Sequence, residues 1–356
     1  MDAYERQHRE AIKQYGKEIR SLYVDAIRGV SQYTNVGQLN SDGDFFFRGN
    51  PDVNRAVNRL LTALNRNVQG KILQSVYSEW DRAVERNNEV CEKVFGETLR
   101  QLPPEYVQKY LSGNEQARQA FFNRRTNGLG LSEHVWNQQR QFKKELELAL
   151  QYSIAKGKSA GETAQDIQQY LNEPDRLYRR VRDEFGVLRL SKAAQAYNPG
   201  QGTYRSSYKN ALRLARNETN FSYQKSNQLK YQQQDFTVAM EIRVSPNHDP
   251  EDDKGGISCI DLQGKYPKTF DWTYKWHVNC LCMSLSVQKT KEEIKEDVRR
   301  ILRGEKPLPA SSSVNYVGEL PDNYVALATE YDEKFSRYTN YPRTFALNKP
   351  KELEQS

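Results

Sequence analysis

Arg205–Gln234 reads RSSYKNALRLARNETNFSYQKSNQLKYQQQ, and soon after it come CIDLQGK (Cys259–Lys265) and WHVNCLC (Trp276–Cys282). The first stretch has helical spacing. Tyr204, Tyr208, Leu212, Ala215 and Thr219 form a packing face, and Arg205, Lys209, Arg213 and Arg216 line up beside it. A helix from Thr203 to Gln234 is expected, roughly 48 Å long at 1.5 Å per residue. The basic line makes Arg205, Lys209, Arg213 and Arg216 candidate nucleic-acid contacts.

The chain holds 4 Cys and 4 His in 356 residues, yet His248, Cys259, His277, Cys280 and Cys282 all fall in positions 248–282. Around them, Phe236–Ser245 and Leu281–Val287 alternate as strands. The loop between these two strands is long and has too little apolar content to hold itself, and a tetrahedral metal would link its separated segments. Cys280 and Cys282 share one face of a strand, and Cys259 stands alone. The expected ligands are Cys259, His277, Cys280 and Cys282, with His248 as a substitute or fifth, and zinc is the expected structural ion. Two other readings use the same residues: reduced cysteines packed in a small core with His277 hydrogen-bonded, and a catalytic Cys/His pair. For the last, no oxyanion-hole turn or orienting group can be assigned.

Composition narrows the classes. Hydrophobic residues make up 37% and charged residues 28%, and mean hydropathy is -0.90, so much of the chain is solvated helix surface or interface. A net charge of +7 favours polyanionic or acidic partners. No apolar run reaches the roughly 18 residues that span a bilayer, and the first twenty residues carry charges throughout with no signal-like core. The expectation is no membrane, no secretory signal and a reducing compartment such as a bacterial cytoplasm.

Outside the opening stretch the pattern is helical. Ile12, Tyr15, Ile19, Tyr23 and Ile27 mark a first amphipathic helix within residues 1–35. Phe45–Phe47 reads as a self-anchoring aromatic loop, and a second helix over 52–100, capped by Asn50 or Asp52, ends before Pro103 and Pro104. A shorter helix follows at 105–120, another from Ser132 to Ile154, and a third opened by a capping box at Ser159 and Glu162. Arg176–Phe185 reads as a short basic helix. Thr290 and Glu293 open a further capped helix, followed by a Pro/Ser linker and a Tyr-rich piece at 320–345. The fold class is therefore α+β and mainly α-helical: long helices plus a small β-containing Cys/His module. The expected regions are 1–130, 131–235, 236–289 and 290–356.

Leu214-Ala-Arg-Asn-Glu-Thr-Asn220, the following strand, Cys259–Lys265 and Trp276–Cys282 together resemble the phage Mu F-like minor head protein (phage head morphogenesis) family, over about residues 135–289. Position by position, the family's helical signature falls on Arg216, Glu218 and Asn220, and its His-x-x-Cys-x-Cys on His277, Cys280 and Cys282. The chain has Val278 where the family has Pro, and only Cys259 in a middle loop where many members place two cysteines. The resemblance implies a minor capsid protein of a tailed phage or prophage, found in the virion head and, during assembly, in the host cytoplasm. Its implied partners are the portal protein and other capsid or scaffolding proteins, and its implied role is docking in head morphogenesis and DNA packaging or delivery. Neither an enzyme nor a small-molecule substrate is expected. The alternatives are a nucleic-acid-binding protein using the Arg205–Arg216 helix, or a metal-dependent nuclease drawing on His248, Asp249, Glu251, Asp252 and Asp253.

Overall fold

The computed structural model describes residues 2–126, 128–173, 180–182, 184–190, 197, 199, 203–246, 257–277, 279–335 and 342–350. Within them the chain is α+β and mainly helical. Two compact units emerge, each discontinuous in sequence: Met1–Arg9, Val76–Phe122 and Asn217–Ser356 form one, and Glu10–Ser75 with Asn123–Arg216 the other. Boundaries near 130, 235 and 289 do not delimit these units. The reason is that helices α1 (Ala3–Ser31), α2 (Pro51–Phe95) and α7 (Ser207–Gln233) each run unbroken from one unit's residues into the other's.

The second unit is helical, with α5 (Leu131–Ala155), α6 (Ala160–Asn172) and a small hairpin beside its shares of α1, α2 and α7. The apolar stripes read from the sequence are buried: Ile12, Ile19, Tyr23 and Ile27 on α1, and Val57, Leu61, Leu64, Val68 and Ile72 on α2. Each such side chain contributes roughly 1.5–3 kcal/mol by leaving water. Gly29 permits close approach, since an added Cβ would stand 3.1 Å from the Leu60 side chain. Phe45 and Phe47 are buried, so the aromatic loop anchors itself as expected, with Phe46 left exposed. Asn50 does not cap α2. Its side chain bonds Gln38 and the Phe46 carbonyl instead, and the helix opens at Pro51, whose fixed φ suits a first helical position. Ser159 and Glu162 form the expected capping box of α6.

Two expectations in this unit are corrected. The helix over Arg176–Phe185 gives way to strand β1 (Arg180–Arg182), paired antiparallel with β2 (Leu188–Leu190); residues 174–179 lie outside the described residues. The basic helix α7 begins at Ser207 rather than Thr203. Ser206 Oγ accepts from Lys209 N at 3.2 Å, and the buried Glu145 carboxylate accepts from Ser207 N and Oγ at 2.9 and 2.7 Å. An anion and a hydroxyl at those unpaired N–H groups fix the helix start.

The first unit contains the sheet. The helix expected over 105–120 is two, α3 (Pro104–Leu111) and α4 (Glu115–Phe122), parted at Asn114, whose φ of 56° cannot continue a helix. Along α7, Ser222 Oγ donates to the Val76 carbonyl at 2.6 Å and Ser226 Oγ to that of Trp80 at 3.1 Å. Asn87 Nδ2 donates to Asn227 Oδ1 at 2.8 Å. Small polar side chains thus let α7 run against α2 with their hydroxyls and amides satisfied.

After α7 come β3 (Thr237–Arg243), β4 (Gly264–Pro267) and β5 (Met283–Gln288), an antiparallel sheet in the order β4-β3-β5 with a register shift between Thr237 and Ala239. Two strands were expected; the third, β4, lies inside the supposed loop. That loop also holds itself better than its composition suggested. Ile257, Leu262, Tyr266, Phe270, Trp272 and Trp276 are buried in one cluster with Met240 and Ile242 of β3. The Tyr-rich tail closes this cluster. From α9 (Asp322–Phe335) and α10 (Arg343–Leu347), Tyr324 and Phe345 pack edge-on within it, with Tyr324 5.1 Å from Phe270 and 5.9 Å from Tyr266. Between sheet and tail, α8 (Lys291–Leu302) starts at the expected Thr290–Glu293 capping box.

Lys230 of α7 is fully buried and donates to the Tyr110 and Ser112 carbonyls at 2.6 and 2.9 Å, closing the end of α3. Burial pushes its ammonium from 10.5 down to about 8. Between those values the unfolded chain binds more protons than the folded one, so this lysine makes stability rise with pH. The unfolding free-energy difference between wild type and Lys230→Met should therefore move in favour of wild type by about 2 kcal/mol from pH 7.5 to pH 10. Denaturant titrations at both pH values measure it, and a flat difference would contradict the assignment.

Candidate metal centre

The Cys/His group lies wholly within the first unit. Cys259 precedes β4, and His277 and Cys280 sit on the turn that leads into β5. This turn is backbone-constrained: Lys275 and Asn279 flank His277 with φ of 55° and 67°, and Cys280 N donates to the His277 carbonyl at 3.2 Å. Asparagine tolerates that conformation, but lysine adopts it at a cost of roughly 1–2 kcal/mol, so its contacts must hold it there. Those contacts are on both sides. Thr344 Oγ1 donates to the Lys275 carbonyl, and Lys275 Nζ donates to the carbonyls of Cys280 and Cys282 at 3.2 and 3.0 Å.

Cys259 Sγ stands 3.0 Å from His277 Nε2 and 3.7 Å from Cys280 Sγ, and the three ligand atoms lie within 4.8 Å of one another. All three can hold one metal ion. Tetrahedral zinc with bonds of about 2.3 Å to sulfur and about 2.0 Å to nitrogen needs an S···S separation of about 3.8 Å and an S···N separation of about 3.5 Å. The cysteine pair already has the first; the His277–Cys259 contact would open by about half an ångström to reach the second. Cys282 is outside that group of three but is fully buried, and its thiol interacts with those of Cys259 and Cys280. His248 lies outside the described residues, as does the acidic run Asp249–Asp253.

The thiols differ in acidity. Burial pushes the Cys280 thiol up, but its bonds from Cys259 and Cys282, with the Lys275 ammonium beside it, outweigh burial and hold it well below the usual thiol range. Cys259 is pushed up by its bonds to Cys280 and Cys282 and by burial. Contact with Cys259 draws Cys282 down, yet Cys280 and burial prevail and push it up to about 12. Of the three, Cys280 is therefore the most acidic thiol, with Cys259 and Cys282 raised beside it. Cys259 is fully buried, while His277, 3.0 Å from its sulfur, is half-buried.

Of the helical signature, Arg216 is exposed, Glu218 half-buried and Asn220 buried. Asn220 is the residue the fold brings to the Cys/His turn. Its Oδ1 accepts from Lys275 Nζ at 3.1 Å and faces His8 Nε2 at 3.0 Å, and His8 Nδ1 faces Glu79 Oε2 at 2.6 Å. With Lys275 fixing the orientation of the amide, the two ring nitrogens of His8 face oxygen atoms on both sides, Glu79 Oε2 and Asn220 Oδ1. It is stacked on Tyr223, with centroids 4.0 Å apart. Arg9 continues the chain of contacts, donating to Ser245 Oγ at 2.8 Å and to the Leu281 carbonyl at 3.3 Å.

His8, Glu79 and Lys275 were not singled out from sequence. For two of them a signal existed. His8 stands four residues before Ile12, and Glu79 seven after Ile72, each on the apolar stripe of its helix where a polar residue must find a partner. Of the basic line, Arg205 precedes α7 with its carbonyl accepting from Tyr170 Oη at 2.6 Å, Lys209 is half-buried, and Arg213 lies over the Tyr204 ring at 4.7 Å. Tyr204 is exposed, not part of the packing face.

No family model, curated protein or solved structure matches the chain. Among the described residues no helix is long and apolar enough to cross a membrane.

Removing the acceptor at Asn220 would strand donors on both His8 and Lys275. Asn220→Ala should lower the unfolding free energy by about 3 kcal/mol or more, whereas Asn220→Asp, which keeps the acceptor, should lose less than half as much. Equal losses in chemical denaturation would contradict the network.

Proposed function

We propose that the chain is a minor head protein of a tailed phage or prophage, docking at the portal or inner shell and acting in head morphogenesis and DNA packaging or delivery. The observation that supports this reading is the Asn220–Lys275 contact. The two motifs carrying the family resemblance, the Arg216–Asn220 helix segment and the His277–Cys282 turn, meet there through one buried amide and two cysteine carbonyls. The motifs thus make sense as halves of one structural device rather than as separate sites.

In this reading the metal is zinc and structural. Cys259, His277, Cys280 and Cys282 would hold it, three sulfurs and one imidazole being a closed set typical of structural zinc. When bound, the ion links the β4 approach to the β5 turn. The chain's own residues do the remaining work: Lys275 fixes the turn and Asn220 fixes Lys275. The role is docking without turnover, with the virion head as location and the host cytoplasm as the place of assembly. Portal, capsid and scaffolding proteins are the partners.

Tagged full-length chain co-expressed with the portal protein of its own genome should co-elute with assembled portal through size exclusion. Free elution of both proteins, with the chain also missing from purified virions by mass spectrometry, would refute the reading.

A further inference from the structure

Helix α5 and the N-terminal half of α7 frame a cleft of about 520 Å³ in the second unit. Its cations come from both helices. Arg140 and Lys144, four residues apart on α5, line it with His134, and Arg213 faces them from α7. None of the lining residues among the described residues is acidic. Two carboxylates of α5 are engaged by other groups: Glu145 accepts from Ser207 and from Gln141 and Tyr197 of the cleft lining, and Glu133 bonds Arg125 and the Gly130 amide. Among the described residues no carboxylate pairs with Arg140 or Lys144, both of which are exposed.

The floor is hydrogen-bonded. Asn210 Nδ2 donates to Gln141 Oε1 at 2.9 Å and to the Tyr204 carbonyl at 2.8 Å, and Gln141 Nε2 donates to the same carbonyl at 2.7 Å. These bonds tie the two helices together beneath the cations. Outside the lining itself, two exposed aromatic rings sit against the guanidiniums of lining residues. Arg140 lies 4.7 Å from the Trp136 ring centroid and Arg213 4.7 Å from that of Tyr204, and the two rings are 51% and 41% exposed.

A bare phosphate site has no use for half-exposed rings, and a structural ion pair would put a carboxylate beside Arg140 or Lys144. Cations with flat aromatic faces beside them suit a phosphodiester backbone whose bases are free to stack. The geometry points to a binding site for single-stranded nucleic acid in this cleft, with Arg140, Lys144 and Arg213 on phosphates and Trp136 and Tyr204 as stacking platforms. It extends the basic line of α7 to a second helix that the line itself does not reveal. It stands independently of the head-protein reading, since the cleft shares no residue with the Cys/His group.

The test uses the full chain and a fluorescein-labelled oligothymidylate in anisotropy titrations at several salt concentrations. Binding should weaken with salt at a log–log slope near −2, as about three phosphate contacts on a single strand require. Arg140→Glu/Lys144→Glu should weaken it more than ten-fold, and Trp136→Ala about five-fold or more. Lys291→Glu/Lys295→Glu, an equal charge change at exposed positions of the other unit, should cost less than three-fold. Circular dichroism melts confirm that each variant is folded. Absence of binding at 50 mM salt, equal losses in the two charge-reversal variants, or tighter binding of a duplex with Trp136→Ala unaffected would each overturn the assignment. So would displacement of the oligonucleotide by polyglutamate at equal charge concentration, which would mark the cleft as a site for acidic protein segments.

Discussion

The Asn220 side-chain oxygen, shared by His8 and Lys275, is the contact on which the Cys/His unit depends most. An amide oxygen has two lone pairs, and here it faces two buried side chains, the His8 ring and the Lys275 ammonium. Through His8 it ties down Glu79 of α2, and through Lys275 it sets the carbonyls of Cys280 and Cys282. Three stretches far apart in sequence are thereby fixed around one atom. Buried networks of this kind specify a single arrangement, because any other pairing leaves a charge without a partner in a poorly solvating interior.

Polar burial is also the theme of α7. Ser222, Gln224, Ser226, Asn227, Gln228 and Lys230 are all buried on this helix, so its strongly hydrophilic sequence conceals an interior element. Hydroxyls at Ser222 and Ser226 return their hydrogen bonds to carbonyls of α2. Such a helix tolerates few substitutions, since a larger side chain would force the helices apart and an apolar one would leave a carbonyl short of a donor.

The α+β, mainly helical class was legible in the sequence because the stripes on α1, α2, α5 and α6 are apolar at helical spacing, and the capping boxes at Ser159 and Thr290 marked their helix starts. Less legible were features that depend on partners remote in the chain. The stripe of α7 below Thr219 is polar, so periodicity of apolar residues could not show it as a packing surface. The strand β4 is four residues long and contains Gly264 and Pro267, which read as loop. Tyr324 and Phe345 fill the space under Trp276, Phe270 and Tyr266, a union of segments that no local pattern encodes. At the candidate site, Cys259, His277 and Cys280 were found from clustering alone and do converge. Lys275 was passed over because a lysine beside a tryptophan in a loop normally faces water.

The module around the Cys/His group therefore has two sources of order. An aromatic core, closed by the tail, replaces much of the constraint that metal alone would otherwise supply, and the Asn220 network places the ligands. A bound ion would add a direct link between Cys259 and the turn carrying His277 and Cys280, and would replace the hydrogen bonds among the sulfurs with coordinate bonds, releasing the thiol protons. The most direct measurement is elemental analysis of the full chain, purified without chelator from zinc-supplemented medium, beside a Cys280→Ser/Cys282→Ser variant. About one zinc per chain, absent from the variant along with a loss of thermal stability, is the result a metal-linked module requires. No metal in either protein, with equal melting temperatures, would reduce the cluster to reduced cysteines packed in an aromatic core.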